Sequence, residues 1–169
     1  NLSATTDANN GDIDMSTLAV TGTIALTTND SAGDNTGHAT VVNASAIEFA
    51  TSSVDGNLIA TATAGNMTDR GILTVTGTSS FTTSASGADI NLDSSNLFTG
   101  AVTLAPTGSG DATITTGSVA LNIADRYHLF AQLEFQQVVG ESVLVLLPHL
   151  HLSGNLPLFV KPQTHMVKF

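Results

Sequence analysis

An eleven-residue phrase occurs twice in this chain of 169 residues. Residues 18–28 read LAVTGTIALTT and residues 73–83 read LTVTGTSSFTT, with seven identical positions and Leu26 replaced by Phe81. Two further pairs of segments are similar, residues 37–41 with 110–114 and residues 46–50 with 120–124. The first offset is 55 residues and the last is 74, and one added repeat unit would explain the difference of 19. Such repetition predicts a stack of similar units.

The glycine spacing sets the length of the unit, and the residues between the glycines set its form. Gly56, Gly77 and Gly100 are 21 and 23 residues apart, which indicates a unit of about 20 residues. Short runs such as 72–76 alternate apolar residues with Thr, the pattern of a strand with one buried face. No stretch of residues 1–124 sustains a helical stripe for three turns. We therefore predict an all-β fold, a parallel β-solenoid (β-helix) of about six coils, with strands about 4.8 Å apart.

Composition divides the chain into two parts. Residues 1–124 hold 24 of the 25 Thr and the whole net charge of −10, with Arg70 as their one basic residue. Residues 125–169 hold all four Gln, four of the five His and three of the four Pro, and their charges cancel. We predict a Thr/Gly-rich solenoid over residues 1–124 and a distinct apolar β segment over residues 125–169 that caps the solenoid or joins subunits.

The charge balance and the missing cysteines exclude several functions. A chain with 14 acidic and 4 basic residues lacks the basic stripe that nucleic-acid binding requires. The absence of Cys removes disulfides, thiolate metal sites and thiol nucleophiles. The apolar run 142–160 is too short and too interrupted by Pro148 and Pro157 to span a bilayer as a helix. We expect no nucleic-acid partner, no membrane span and no cofactor.

Phrases within residues 11–124 resemble the repeats of large bacterial β-strand-repeat exoproteins related to filamentous haemagglutinin adhesins. The similar phrases are Gly-Asn-Leu at residues 56–58, Leu-Thr-Val-Thr-Gly-Thr at residues 73–78 and Asn-Leu-Phe-Thr-Gly-Ala-Val at residues 96–102. The resemblance implies a right-handed parallel β-helix that is exported and displayed outside the cell, with no catalytic residues. It ends at residue 125, where Asp125-Arg126-Tyr127 replaces a further Gly-Asn-Leu coil.

The C-terminal segment offers the candidate subunit contacts. Residues 142–160 read as two strands around a Ser-Gly-Asn turn at residues 153–155. A solenoid end exposes unpaired N–H and C=O groups, so this segment either covers that end or adds strands to a neighbouring subunit; a truncated or frame-shifted gene end is the third alternative. The apolar positions predicted to contact a second subunit are Val143, Val145, Leu150, Leu152, Leu156, Leu158 and Phe159.

Three other groups of residues could carry a function. His149 and His151 share a strand face but lack a third metal ligand nearby, so we predict no metal site. The aspartates Asp12 with Asp14 and Asp89 with Asp93 suit backbone capping better than glycoside hydrolysis. Threonine pairs could order water or bind a glycan if they stacked on one flat face, as in ice-binding solenoids; they are Thr21 with Thr23, Thr61 with Thr63, Thr74 with Thr76, and Thr113 with Thr115.

These patterns favour a non-enzymatic extracellular or cell-surface protein with a structural or adhesive role. The chain begins with Asn1, which we interpret as an exported chain whose signal was removed or lies elsewhere. The expected partners are further copies of the chain, in a filament or a larger repeat array, or surface glycans. The alternative function is an ice- or glycan-binding β-solenoid module that uses the Thr-x-Thr faces.

Overall fold

The computed structural model describes residues 1–7, 9–29, 33 and 36–117, and the main chain of residues 132–138 and 141–147. All regular secondary structure in these ranges is β-strand. The strands are β1 (Leu2–Thr5), β2 (Ile13–Leu18), β3 (Thr23–Thr27), β4 (Ala39–Asn43), β5 (Ile47–Phe49), β6 (Ser52–Val54), β7 (Leu58–Ala62), β8 (Met67–Asp69), β9 (Leu73–Val75), β10 (Ser79–Thr83), β11 (Ile90–Phe98), β12 (Val102–Ala105), β13 (Ala112–Thr116), β14 (Gln132–Val138) and β15 (Glu141–Leu147).

The strands from β1 to β13 wind between two sheets. A five-stranded sheet has the order β2-β4-β7-β10-β12, and every pairing in it is parallel. The intervening strands form a ten-stranded sheet that β14 and β15 complete. Ala39 pairs with Leu58 and Leu58 pairs with Ser79, so neighbouring strands lie 19 and 21 residues apart. This confirms the predicted parallel β-solenoid, with about five turns rather than about six.

The ten-stranded sheet bends within single turns. In one turn β5 and β6 are separated by Ala50 and Thr51, and in the next turn residues 70–72 separate β8 from β9. Strand β3 pairs with both β5 and β6, and β11 pairs with both β8 and β9. The two strands on either side of a bend face the core from different directions. Together with the strand of the five-stranded sheet, each such turn encloses the interior on three sides.

The core is a set of columns built from the inward residues of successive turns. In the five-stranded sheet one column runs Met15, Val41, Ala60, Phe81 and Leu104. Phe81 is fully buried and meets two rings from the other sheet, Phe49 at 6.3 Å and Phe98 at 5.8 Å between centroids. Both ring pairs are edge to face, an arrangement that adds to the free energy of burial.

The sequence alignment of the repeats is wrong in register. Leu26 lies in β3 of the ten-stranded sheet, whereas Phe81 lies in β10 of the five-stranded sheet. The segments 37–41 and 110–114 likewise enter β4 and β13, on different sheets. An offset of 55 residues is about two and a half turns of the observed length, so the two similar phrases lie in opposite halves of a turn. The turn length inferred from the glycines was correct.

Glycines of successive turns stack closely in a column just before the N-terminal ends of the strands of the five-stranded sheet. The N–H of Gly56 donates to the carbonyl of Gly37 at 3.1 Å, and the N–H of Gly77 donates to the carbonyl of Gly56 at 3.0 Å. A Cβ atom on Gly100 would lie 2.2 Å from the Gly77 carbonyl oxygen, closer than real Cβ contacts allow. Successive turns therefore approach each other at these positions only because no side chain intervenes.

Gly100→Ala is expected to lower the free energy of unfolding by about 1–3 kcal/mol, because the obstructing atoms are main chain and cannot rotate away. Gly117→Ala is the matched control, since its nearest neighbour is the flexible Leu97 Cδ2 at 3.3 Å. Urea unfolding followed by far-UV circular dichroism measures both. Equal losses in the two variants would show that contact along the glycine column is not the cause.

The last described strands reverse the direction of the sheet. Strand β15 pairs antiparallel with β13, from Ala112 with Leu146 to Thr116 with Ser142, and β14 pairs antiparallel with β15. Both edges of β15 are therefore occupied, including the main chain at Val143 and Val145. The other candidate subunit contacts, Leu150, Leu152, Leu156, Leu158 and Phe159, lie outside the described residues, as does the predicted boundary at residue 124, which stays a prediction.

Candidate functional site

Polar side chains at the start of the strands link each turn to the next. At the five-stranded sheet the backbone N–H of His38 donates to Asp12 Oδ1 at 2.7 Å, and the N–H of Asn57 donates to His38 Nδ1 at 2.9 Å. The N–H of Thr78 then donates to Asn57 Oδ1 at 2.8 Å. We call this series, Asp12, His38, Asn57 and Thr78, the corner ladder. It satisfies N–H groups that precede the strands and would otherwise lack an acceptor.

The ten-stranded sheet has an equivalent series. The N–H of Asp89 donates to Asn66 Oδ1 at 3.0 Å, and the N–H of Asp111 donates to Asp89 Oδ1 at 2.9 Å. The candidate carboxylates Asp12 and Asp89 thus serve as acceptors for the main chain of the following turn. The geometry agrees with the capping interpretation of these aspartates.

His38 takes part in the corner ladder through Nδ1, which accepts the backbone N–H of Asn57. His38→Ala is expected to lower the free energy of unfolding by about 0.5–1.5 kcal/mol, since the Asn57 N–H loses its partner. His38→Asn is expected to restore most of that loss, because the equivalent position one turn later is Asn57, which accepts the same bond. Urea midpoints at neutral pH measure both variants, and equal losses would contradict the ladder as the cause.

A buried polar pair joins three elements of the ten-stranded sheet. Asn96 Nδ2 donates to Asp69 Oδ2 at 2.6 Å, and Asn96 Oδ1 accepts the backbone N–H of Leu73 at 2.8 Å. Asp69 Oδ1 also accepts the N–H groups of Asp93 and Ser94, at 2.9 and 3.2 Å, where β11 bulges from its partner β13. Burial raises the pKa of the Asp69 carboxyl, and these hydrogen bonds oppose the rise in part. This pair is structural, because its polar atoms are held by one another and by the main chain.

A shallow recess of about 280 Å³ lies beside the N-terminal end of the five-stranded sheet. Asp12, Asp14 and His38 contribute polar groups to it, and Ile59 forms part of its wall. Asp12 Oδ1 and His38 Nδ1 already accept backbone hydrogen bonds. Within the part of the chain that the structure describes, no three His, Cys, Asp or Glu residues come together in a group that could hold a metal ion. His149 and His151 lie outside the described residues.

The threonine pairs do not share one face. Thr23 and Thr74 lie in strands of the ten-stranded sheet, as do Thr113 and Thr115, whereas Thr61 lies in β7 of the five-stranded sheet. Thr21, Thr63 and Thr76 lie in the connecting turns. Thr115 is buried at 7% exposure. The outer faces of the two sheets point in different directions, so these eight residues cannot act on a single flat surface.

One outer surface is free of charge. On the five-stranded sheet the outward side chains of β4, β7, β10 and β12 form two columns, and we call them the uncharged face; they are Thr40, Val42, Ile59, Thr61, Ser80, Thr82, Thr103 and Ala105. Asp14, which pairs with Thr40, borders the face at one end. The outer side of the ten-stranded sheet differs, since it carries Glu48, ion-paired with Arg70 at 2.6 Å, and the exposed Asp93.

Comparison with known proteins supports the repeat architecture. Residues 36–105 match a family described as repeats of unknown function (DUF5649). The chain is therefore similar, over three of its turns, to a family defined by repetition. No curated protein and no solved structure matches the chain. The matched segment contains β4 to β12 and most of the glycine column, so the similarity covers the regular part of the solenoid.

The described residues contain no helix long and apolar enough to cross a membrane.

Proposed function

We propose that this chain is a non-enzymatic structural or adhesive segment of an extracellular protein at the cell surface, in which β-solenoid turns form a rigid rod that assembles into a fibre or extends a longer repeat array. The observation that carries the proposal is the continuous stacking of inward columns and corner ladders through about five turns. At about 4.8 Å a turn these make a body about 24 Å long. The likeness of the phrases at residues 56–58 and 73–78 to those of adhesin repeats supports the same role.

Rigidity follows from how each turn is held. Main-chain ladders, the glycine column and the buried side chains all act between neighbouring turns, so bending the rod would break several of them together. Most connections between the described strands are short, and side-chain hydrogen bonds to the main chain hold several of them in place. The antiparallel pairing of β15 with β13 covers the main-chain edge of the ten-stranded sheet, which supports a capping role for part of residues 125–169.

Antibody labelling of intact cells of the source organism, before and after permeabilisation, tests the location. We expect labelling of intact cells, with electron micrographs of the pure protein showing regular rods or filaments. Labelling only after permeabilisation would contradict the extracellular role. Dispersed particles in micrographs, together with surface labelling, would favour capping by residues 125–169 over assembly through them.

A further inference from the structure

The uncharged face lacks charged side chains although the chain as a whole is strongly acidic. The chain has a net charge of −10, yet the eight outward residues of β4, β7, β10 and β12 include no charged side chain. Near its middle lies Ile59, 48% exposed and the most exposed large hydrophobic residue among those described. Ile59 pairs across the sheet with Thr40 and Ser80, so small side chains surround it. A surface of small uncharged side chains around one exposed apolar group suits contact with a second surface of the same kind.

We propose that the uncharged face packs against the same face of a second copy of this chain, in a two-fold arrangement that joins solenoid rods side by side. The proposal goes beyond the proposed function by naming the surface through which rods associate. Sheets pack face to face about 10 Å apart, with the side chains of the two faces interdigitated. The eight side chains of the uncharged face are all uncharged, and Ile59 is the largest of them.

Charge restricts the surface and the orientation through which two copies can meet. Two copies of an acidic chain repel each other, and the uncharged face is where they approach without opposing carboxylates. With the two-fold axis parallel to the strands, β4 of one copy lies over β12 of the other, and Asp14, next to β4, lies just beyond the partner's β12. Five strand spacings, about 24 Å, then separate the two Asp14 positions along the sheet, about three times the screening length of about 8 Å at physiological salt.

The area of the face limits the strength of the contact. Four strands about 4.8 Å apart and five residues long cover about 300 Å² on each copy. A stable standard interface needs about 800 Å² on each partner. The association is therefore weak and concentration-dependent in this chain, and each further solenoid turn with an uncharged outer strand enlarges it. Added salt screens the net repulsion, so association strengthens as ionic strength rises, opposite to an interface held by salt bridges.

Sedimentation equilibrium of the full chain over a range of concentrations, in low and high sodium chloride, tests the proposal. Thr61→Asp places a charge in the middle of the face and is expected to lower the association constant at least about tenfold. Thr74→Asp is the matched control, because Thr74 is a half-buried threonine in β9 on the outer side of the other sheet. It adds the same charge and is expected to leave the association constant unchanged. Circular dichroism checks that both variants fold.

Ile59→Thr provides a second variant that adds no charge and is expected to weaken association by removing the exposed apolar group. The proposal is overturned if the wild-type chain stays monomeric at every concentration and salt level, or if Thr61→Asp and Thr74→Asp behave alike. It is also overturned if the dispersed chain shapes growing ice crystals and Thr61→Asp abolishes that effect, since the face would then bind ice. If antibodies label the chain at the cell surface but the rods never associate side by side, this inference is contradicted and the proposed function is not.

Discussion

Phe81→Ala is expected to lower the free energy of unfolding by about 3–5 kcal/mol, the largest loss of any single change considered for this chain. The ring is fully buried and contacts Phe49 and Phe98 from the opposite sheet. Its neighbours in the column of the five-stranded sheet are Ala60 and Leu104. Ala60 is too small to fill the space that the ring leaves, so a cavity remains between the two sheets.

Urea unfolding at 25 °C, followed by far-UV circular dichroism, measures this loss. Phe81→Leu is the matched control and is expected to cost about 1 kcal/mol, because leucine keeps most of the apolar volume. Each turn touches only its neighbours, so faster amide hydrogen exchange is expected first in β7, β10 and β12. A loss below 1 kcal/mol for Phe81→Ala would show that the three rings do not form the centre of the core.

The sequence predicted the class of the fold because the features that define it are local and repeated. Alternation of apolar residues with Thr predicts strands, and the glycine spacing predicts the turn length, which the pairing of Leu58 with Ser79 matches. The register could not be predicted in the same way. A triplet made of a glycine, a variable residue and the first residue of a strand occurs on both sheets. It lies at residues 56–58, where β7 begins, and at residues 110–112, where β13 begins. Equal local chemistry on the two sheets makes half a turn indistinguishable from a whole one.

The same triplet explains the phrase Gly-Asn-Leu at residues 56–58. Gly56 allows the main chains of neighbouring turns to meet, Asn57 accepts the N–H of Thr78, and Leu58 is buried in the core. All five strands of the five-stranded sheet follow a glycine two residues earlier, at residues 11, 37, 56, 77 and 100. The triplet alone does not identify the sheet, because β8, β9 and β13 of the ten-stranded sheet also follow a glycine two residues earlier, at residues 65, 71 and 110.

The candidate surface was harder to predict than the fold. The Thr-x-Thr pattern depends on residue type alone, so it includes Thr115, which is buried, and Thr21, which lies in a turn. The uncharged face depends on which residues of different turns become neighbours, as Thr61 does with Val42 and Thr82. That adjacency follows from register, which the sequence alone left undetermined. The Asp69–Asn96 pair was missed for a related reason, because its members are 27 residues apart and meet only after a bend in the sheet.

Asn96→Leu is the second large expected effect, a loss of about 3 kcal/mol at neutral pH. The substitution removes the acceptor of the Leu73 N–H and the donor to the buried Asp69 carboxylate. Asp69 itself keeps the N–H groups of Asp93 and Ser94. A buried charge that loses a hydrogen bond costs more than a neutral group would, so most of the loss comes from the ionised form of Asp69.

The pH dependence separates this cause from a packing defect. Burial raises the pKa of Asp69 above its ordinary value, so the folded state binds the proton more tightly than the unfolded state. The Asp69 contribution to the free energy of unfolding therefore falls as pH rises from that ordinary value through the folded-state pKa, and it stays at the lower level above. Asn96→Leu removes a hydrogen bond that favours the carboxylate, so it raises the pKa further and widens this pH window.

The cost of Asn96→Leu is consequently expected to be smaller at about pH 4 than at about pH 7, since protonation neutralises Asp69 in the variant. Urea unfolding at both pH values measures the difference. The same substitution in an Asp69→Asn background provides the control, because no carboxyl group remains there to titrate and its cost should not change with pH. A cost of Asn96→Leu that is equal at both pH values with Asp69 present would mean that Asn96 stabilises the bend through the Leu73 N–H and not through the carboxylate.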